Sequence, residues 1–164
     1  SGESAPVDPW VEAGEERATQ VIARCLSRAE STPPTDSQPC INAAFLACEG
    51  EHGNMSQRDL TDCATFTNQA WQARLEAVKS RLFKAKTIDP RFGSAEQRVQ
   101  RLVESQDRWK TWTKGDCDPQ AEGSKGGSMH GMEVQLCLSR HAAQRGIELE
   151  ALTFWWGKSF NLPE

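Results

Sequence analysis

Six cysteines, at positions 25, 40, 48, 63, 117 and 137, constrain this 164-residue chain more than any other feature. Their successive spacings are 15, 8, 15, 54 and 20 residues, and no Cys-x-x-Cys pair occurs. The absence of that pair argues against zinc ribbons, thioredoxin-type redox sites and c-type haem attachment. An even number of well-separated cysteines suits structural disulfides and an oxidising compartment. Six cysteines allow fifteen pairings, so the layout of secondary structure has to choose among them.

A need for such staples is visible in the composition. Leu, Val, Ile and Phe together supply 28 of 164 residues, below the ~20% at which a highly charged chain tends to stay disordered. The charge half of that criterion fails, because the net charge is only −4. Six Trp and six Cys also argue for order, since solvated tails use neither. The expectation is a folded domain with a thin aliphatic core. No apolar run approaches the ~20 residues that span a bilayer. A pI near 5.5 leaves no electrostatic footprint for nucleic acid or anionic lipid. Ser1-Gly2 reads as a scar of processing or cloning, so a removed secretory signal is expected.

Helical periodicity dominates what remains. Asp8-Pro9 is a helix start, with Asp as N-cap and Pro at the first helical position. From there Ala18, Val21, Ile22, Cys25, Leu26 and Ala29 form an amphipathic stripe. Residues 31–39, STPPTDSQP, form a loop. A short helix follows from Pro39 to about Glu49, closed by Gly50 and Gly53. Ser56 and Asp59 resemble a capping box opening the longest helix, 57–87, whose stripe includes Leu60, Cys63, Trp71, Leu75, Val78 and Leu82. Asp89-Pro90 ends it. Ser94 and Gln97 make a second box for a helix over 95–115, with Leu102, Gln106 and Trp109 on one face. A Gly-rich loop at 118–131 leads to a last helix, 131–156. No strand-like alternation is convincing. The fold class is therefore all-α, about five helices in antiparallel hairpins, with 1–8 as a tail and 9–164 as one domain.

That layout selects Cys25–Cys40, Cys48–Cys63 and Cys117–Cys137, each pair flanking one inter-helix loop and stapling neighbouring helices. A metal alternative exists: Cys137 and His141 share a helical face, and Cys117 with His130 lie just upstream, four ligands for a tetrahedral zinc. The spacing matches no standard zinc module, and disulfides account for all six cysteines, so neither metal nor cofactor is expected. His52, His130 and His141 are too scattered to define a catalytic base, and no GxSxG, HExxH or P-loop pattern occurs. No catalytic residue is assigned, and an enzyme is not expected.

The aromatic residues are the remaining candidates for binding. Trp71 and Trp109 fall on buried stripes, and Trp112 flanks the same core beside the Cys117 loop. The segment Thr153-Phe-Trp-Trp-Gly with Phe160 is denser in aromatics than one helix face can bury. Trp155, Trp156 and Phe160 either fold back over the thin core or present a partner-binding end. The loop containing Lys125, Gly126 and Gly127 is either a binding loop or slack that closes a disulfide hairpin.

Taken in order, these elements resemble a known family. Ser105-Gln106-Asp-Arg-Trp109-Lys-Thr-Trp112, then Cys117, a Gly-rich loop and Cys137-Leu-Ser-Arg140, resembles the bacterial lysozyme-inhibitor LprI-like domain family. Cys40-Ile-Asn-Ala-Ala, Cys48, Cys63 and Trp71-Gln-Ala-Arg-Leu75 resemble its cysteine helix and Trp-Asp-x-x-Leu-Asn motif. The resemblance covers about residues 38–152. It departs at Thr113-Lys114, where the family pattern has Arg-Asp, and at Gln72 and Glu76, where it has Asp and Asn. What the resemblance implies is a secreted or periplasmic, disulfide-stapled helical protein without catalytic machinery. Two functions follow from it: an inhibitor of lysozyme or a related cell-wall lytic enzyme, or an envelope interaction module with an unrelated ligand. A protein partner is expected in both; lysozyme is strongly basic, and a net −4 is compatible with steering toward it.

Overall fold

Ser56 begins the helix that organises the molecule. Its hydroxyl accepts from the Asp59 backbone N–H at 3.1 Å, and the Asp59 carboxylate accepts from the Ser56 N–H at 3.0 Å, a reciprocal cap. The computed structural model describes residues 2, 4–30, 37–51, 53–118 and 130–164. Among them six helices follow one another: α1 (Pro9–Glu12), α2 (Gly14–Glu30), α3 (Ala43–Glu49), α4 (Gln57–Phe83), α5 (Ala95–Asp116) and α6 (His130–Ser159). Two-residue strands β1 (Lys86–Thr87) and β2 (Phe160–Asn161) pair antiparallel, Thr87 opposite Phe160. The fold is all-α apart from that bridge.

The largest interface joins α4 to α6. Their contacts climb both helices in one direction: Gln57 meets Met132, Asn68 donates to Gln135, Leu75 lies under Gly146, and Arg81 donates to the Pro163 carbonyl. The two therefore run parallel. Helix α5 runs antiparallel to α6, since Gln106 meets Arg145 and Asp116 meets His141. Small residues make the α4–α6 approach close. Ala64 on α4 and Ser139, Ala142, Ala143 and Gly146 on α6 are all buried. A Cβ on Gly146 would stand 3.9 Å from the Leu75 Cα. A thin complement of Leu, Val, Ile and Phe suffices because backbones, rather than long side chains, fill the space. Trp71, fully buried, fills the centre and donates its indole N–H to the Ile41 carbonyl at 3.3 Å.

The first expected helix is divided. Ala13 caps α1, and α2 starts at Gly14, pressed against the Phe66 ring, while Trp10 meets that ring edge-on at 5.4 Å. Pro39 lies in a 3-10 turn, Gln38–Ile41, before α3 begins at Ala43. Helix α4 stops at Phe83 rather than 87, because Lys86 and Thr87 pair with the chain leaving α6. The disulfides are Cys25–Cys40, Cys48–Cys63 and Cys117–Cys137, with Cα separations of 5.6, 5.7 and 5.7 Å. They tie α2 to the 3-10 turn, α3 to α4, and the end of α5 to α6.

Candidate functional site

A groove of about 700 Å³ opens where α4, α5 and α6 meet, next to Cys117. Trp109, Thr113 and Lys114 come from α5, Gln72 from α4, and Val134 and Leu138 from α6. Helical spacing explains the α5 contribution, since 109, 113 and 117 follow at steps of four. Thr113 is buried, yet its hydroxyl has no hydrogen-bond partner among the described residues. On the α4 side, Gln72 donates to Asn68 at 3.2 Å and Asn68 donates to Gln135 at 2.9 Å. An adjoining hollow of about 470 Å³ shares Gln72 and Trp109 and adds Glu76, whose carboxylate pairs with Lys79 at 2.5 Å. Gln72, Glu76, Thr113 and Lys114, the four departures from the signature pattern, are therefore gathered along one face between α4 and α5. Nothing in their sequence positions indicated this, because 41 residues separate Gln72 from Thr113.

The expected aromatic binding residues divide between surface and core. Trp112 is 59% exposed, its ring edge-on to His141 with centroids 4.7 Å apart. Trp155 is 63% exposed beside Phe154, and the Lys158 ammonium lies 4.4 and 4.8 Å from the centres of the Phe154 and Trp155 rings. Trp156 takes the first of its two expected places: it is buried and packs edge-on against Phe160. The helix turns about 100° per residue, so adjacent tryptophans point to different surroundings. Lys125, Gly126 and Gly127 lie outside the described residues.

A second group of chemistry-bearing side chains sits at the Cys117–Cys137 staple. His141 Nε2 and Asp116 Oδ2 are 2.5 Å apart, and the ligand-type atoms of Asp116, Cys117, Cys137 and His141 all lie within 4.8 Å of one another. His130, the fourth residue of the metal alternative weighed from sequence, is not in this group; it begins α6, two helical turns before Cys137. Asp116 takes that place because the last turn of α5 brings it beside His141. Further along the same interface, buried Arg145 donates to Gln106 at 3.0 Å, to Ser105 at 3.1 Å and to Glu148 at 3.0 Å. That network uses up the Ser105-Gln106 part of the signature in holding α5 to α6.

Charge is segregated along the chain. Residues 1–62 carry eleven acidic and four basic side chains, a net −7, whereas residues 63–101 carry eight basic and three acidic, a net +5. Exposed Glu12, Glu15 and Glu16 belong to the acidic part, on α1 and α2. Glu51 of the same part accepts from the Trp10 indole at 3.0 Å and pairs with Arg17 at 3.8 Å. No helix among the described residues is long and apolar enough to cross a membrane.

Fold and site together define a disulfide-stapled helical protein with a grooved face between α4 and α5. The sequence model of the lysozyme inhibitor LprI family matches residues 48–149, so the chain belongs to that family. Neither a curated protein nor a solved structure matches it.

Proposed function

We propose that this chain is a non-catalytic secreted or periplasmic binding protein that inhibits lysozyme or a related cell-wall muramidase. Membership of a lysozyme-inhibitor family over residues 48–149 carries the reading. The three disulfides support an oxidising location. The acidic segment of residues 1–62 supports the choice of a basic target, because opposite surface potentials raise the encounter rate. Helices α1 and α2 then face the enzyme during approach, while the groove at Trp109 and Lys114 is a candidate for the closer contact.

Muramidase turnover of a peptidoglycan suspension, with and without the protein, tests the reading. Inhibition at micromolar concentration is expected, weakening as salt rises from low to physiological ionic strength. No inhibition at micromolar concentration removes it. The exposed Phe154–Trp155 pair under Lys158 favours a second reading, an envelope interaction module with an unrelated protein ligand.

A further inference from the structure

The Cys117–Cys137 staple differs in its surroundings from the other two. It alone among the described residues has a His and an Asp against its sulfurs, with all four ligand-type atoms within 4.8 Å. Cys117, Cys137 and His141 are buried, and Asp116 adjoins solvent. In a tetrahedral zinc site the metal stands ~2.3 Å from sulfur and ~2.0–2.2 Å from nitrogen or oxygen, so neighbouring ligand atoms are roughly 3.3–3.8 Å apart. Reaching that geometry takes three changes: the disulfide opens, the 2.5 Å His141–Asp116 contact widens by about 1 Å, and the widest pair closes by about 1 Å. Asp116, the exposed last residue of α5, has room to take up such shifts, while Cys137 and His141 stay one turn apart on α6.

We propose that Asp116, Cys117, Cys137 and His141 form a zinc site when the Cys117–Cys137 bond is reduced. A dithiol reductant would open it by exchange: the reductant is oxidised to its own disulfide, and two electrons and two protons pass to the cysteines. Zinc then displaces both thiol protons and is held by two thiolate sulfurs, His141 Nε2 and an Asp116 carboxylate oxygen. Two sulfurs, one imidazole and one carboxylate in tetrahedral array select zinc over calcium or magnesium, which take six or more oxygen ligands. The metal ties α5 to α6 in the reduced chain at the place where the disulfide ties them in the oxidised one.

Zinc titration of the full chain tests this, before and after reduction with a phosphine, which is converted to its oxide as water supplies oxygen to it and protons to the thiols. The reduced protein should bind one zinc tightly per chain and the oxidised protein none. Cobalt in place of zinc should give a thiolate-to-metal charge-transfer band. His141→Ala and Asp116→Asn should weaken binding at least about tenfold, the lower end of what even an outer partner of a ligand is worth, whereas His130→Ala should not. Because full reduction also opens the other two bonds, Cys117→Ser/Cys137→Ser serves as the control, and circular dichroism follows helicity throughout. Helicity lost on reduction and regained on adding zinc supports the site. The proposal is overturned if the reduced chain binds no zinc. It is overturned equally if the double serine variant or His141→Ala binds as tightly as the parent, or if zinc leaves a reduced, unfolded chain without helix.

Discussion

Gly14 of α2 lies so close to Phe66 of α4 that a Cβ built on Gly14 would stand 2.4 Å from the ring. The ring cannot swing aside freely, because it is buried and Trp10 closes on it edge-on. Two effects of Gly14→Ala therefore oppose each other. Ala favours helix over Gly by up to about 1 kcal/mol, while overpacking a filled site costs about 1–3 kcal/mol. The steric term should win, lowering Tm by several degrees; a Tm equal to or above the parent's would show that Phe66 has room to move.

Arg145 tests whether the α5–α6 interface depends on a planar fork or only on charge. Its guanidinium donates to Gln106, Ser105 and Glu148 from a buried position. Lysine carries the charge but not the fork, so Arg145→Lys should leave Gln106 or Ser105 unpaired and cost about 1–3 kcal/mol. Glu148 is largely exposed, and Glu148→Gln should cost well under 1 kcal/mol. Chemical denaturation of both variants checks the ranking, and equal losses would contradict it.

Reduction should destabilise the protein sharply. Removing Cys48–Cys63, which closes a 15-residue separation, releases about 3 kcal/mol of unfolded-chain entropy in the loop-closure account. A Cys48→Ala/Cys63→Ala variant should therefore melt well below the parent under oxidising conditions. An unchanged melting temperature, in that variant or in the fully reduced parent without metal, would overturn the view that a thin core relies on staples.

Acid should loosen the turn between α4 and α5. The Glu96 carboxylate accepts from the Thr87 hydroxyl at 2.7 Å, and that hydroxyl accepts from the Ala95 N–H at 2.9 Å. The Thr87 hydrogen bond holds the Glu96 carboxyl below the ordinary 4.5, and the Arg91 guanidinium does the same for Asp89. A lowered folded value means that folding favours the ionised form. The stabilisation is present above the unfolded value and is lost as pH falls through the folded one. Melting curves of the parent and Glu96→Gln should accordingly differ at neutral pH and converge in acid, as pH falls through the lowered Glu96 value. A gap that persists or widens in acid would contradict the assignment.

The family's signature was legible, but its geometry was not. Trp71 and Trp109 carry helical periodicity, so their places on inward faces follow from local sequence. Gln72, Glu76, Thr113 and Lys114 stand out only as changed letters in the motif, and it takes the packing of α4 against α5 to bring them to one groove. Asp116 had no signal at all. It sits among acidic residues spread through every helix, and only the end of α5 meeting α6 distinguishes it from a solvated carboxylate.

By itself the sequence determined the elements whose causes lie within a few residues. The Asp8, Ser56 and Ser94 caps and the helical stripes all depend on neighbours one to four positions away, whereas the proline-rich segment 31–36 lies outside the described residues. The all-helical class and the spacing of cysteines around each loop follow from those local rules. Tertiary structure alone decided the contact of Gly14 with Phe66, some fifty residues later, and the β1–β2 bridge, two residues long and far too short for alternation to show. It also decided that α4 and α6 run parallel, with Gly146 laid against Leu75. Small residues give hydrophobic pattern little contrast, so a helix that buries them looks ordinary until its partner is in place. The same physics separates Trp155 from Trp156: one peptide bond apart, they differ only in what the rest of the chain packs against them.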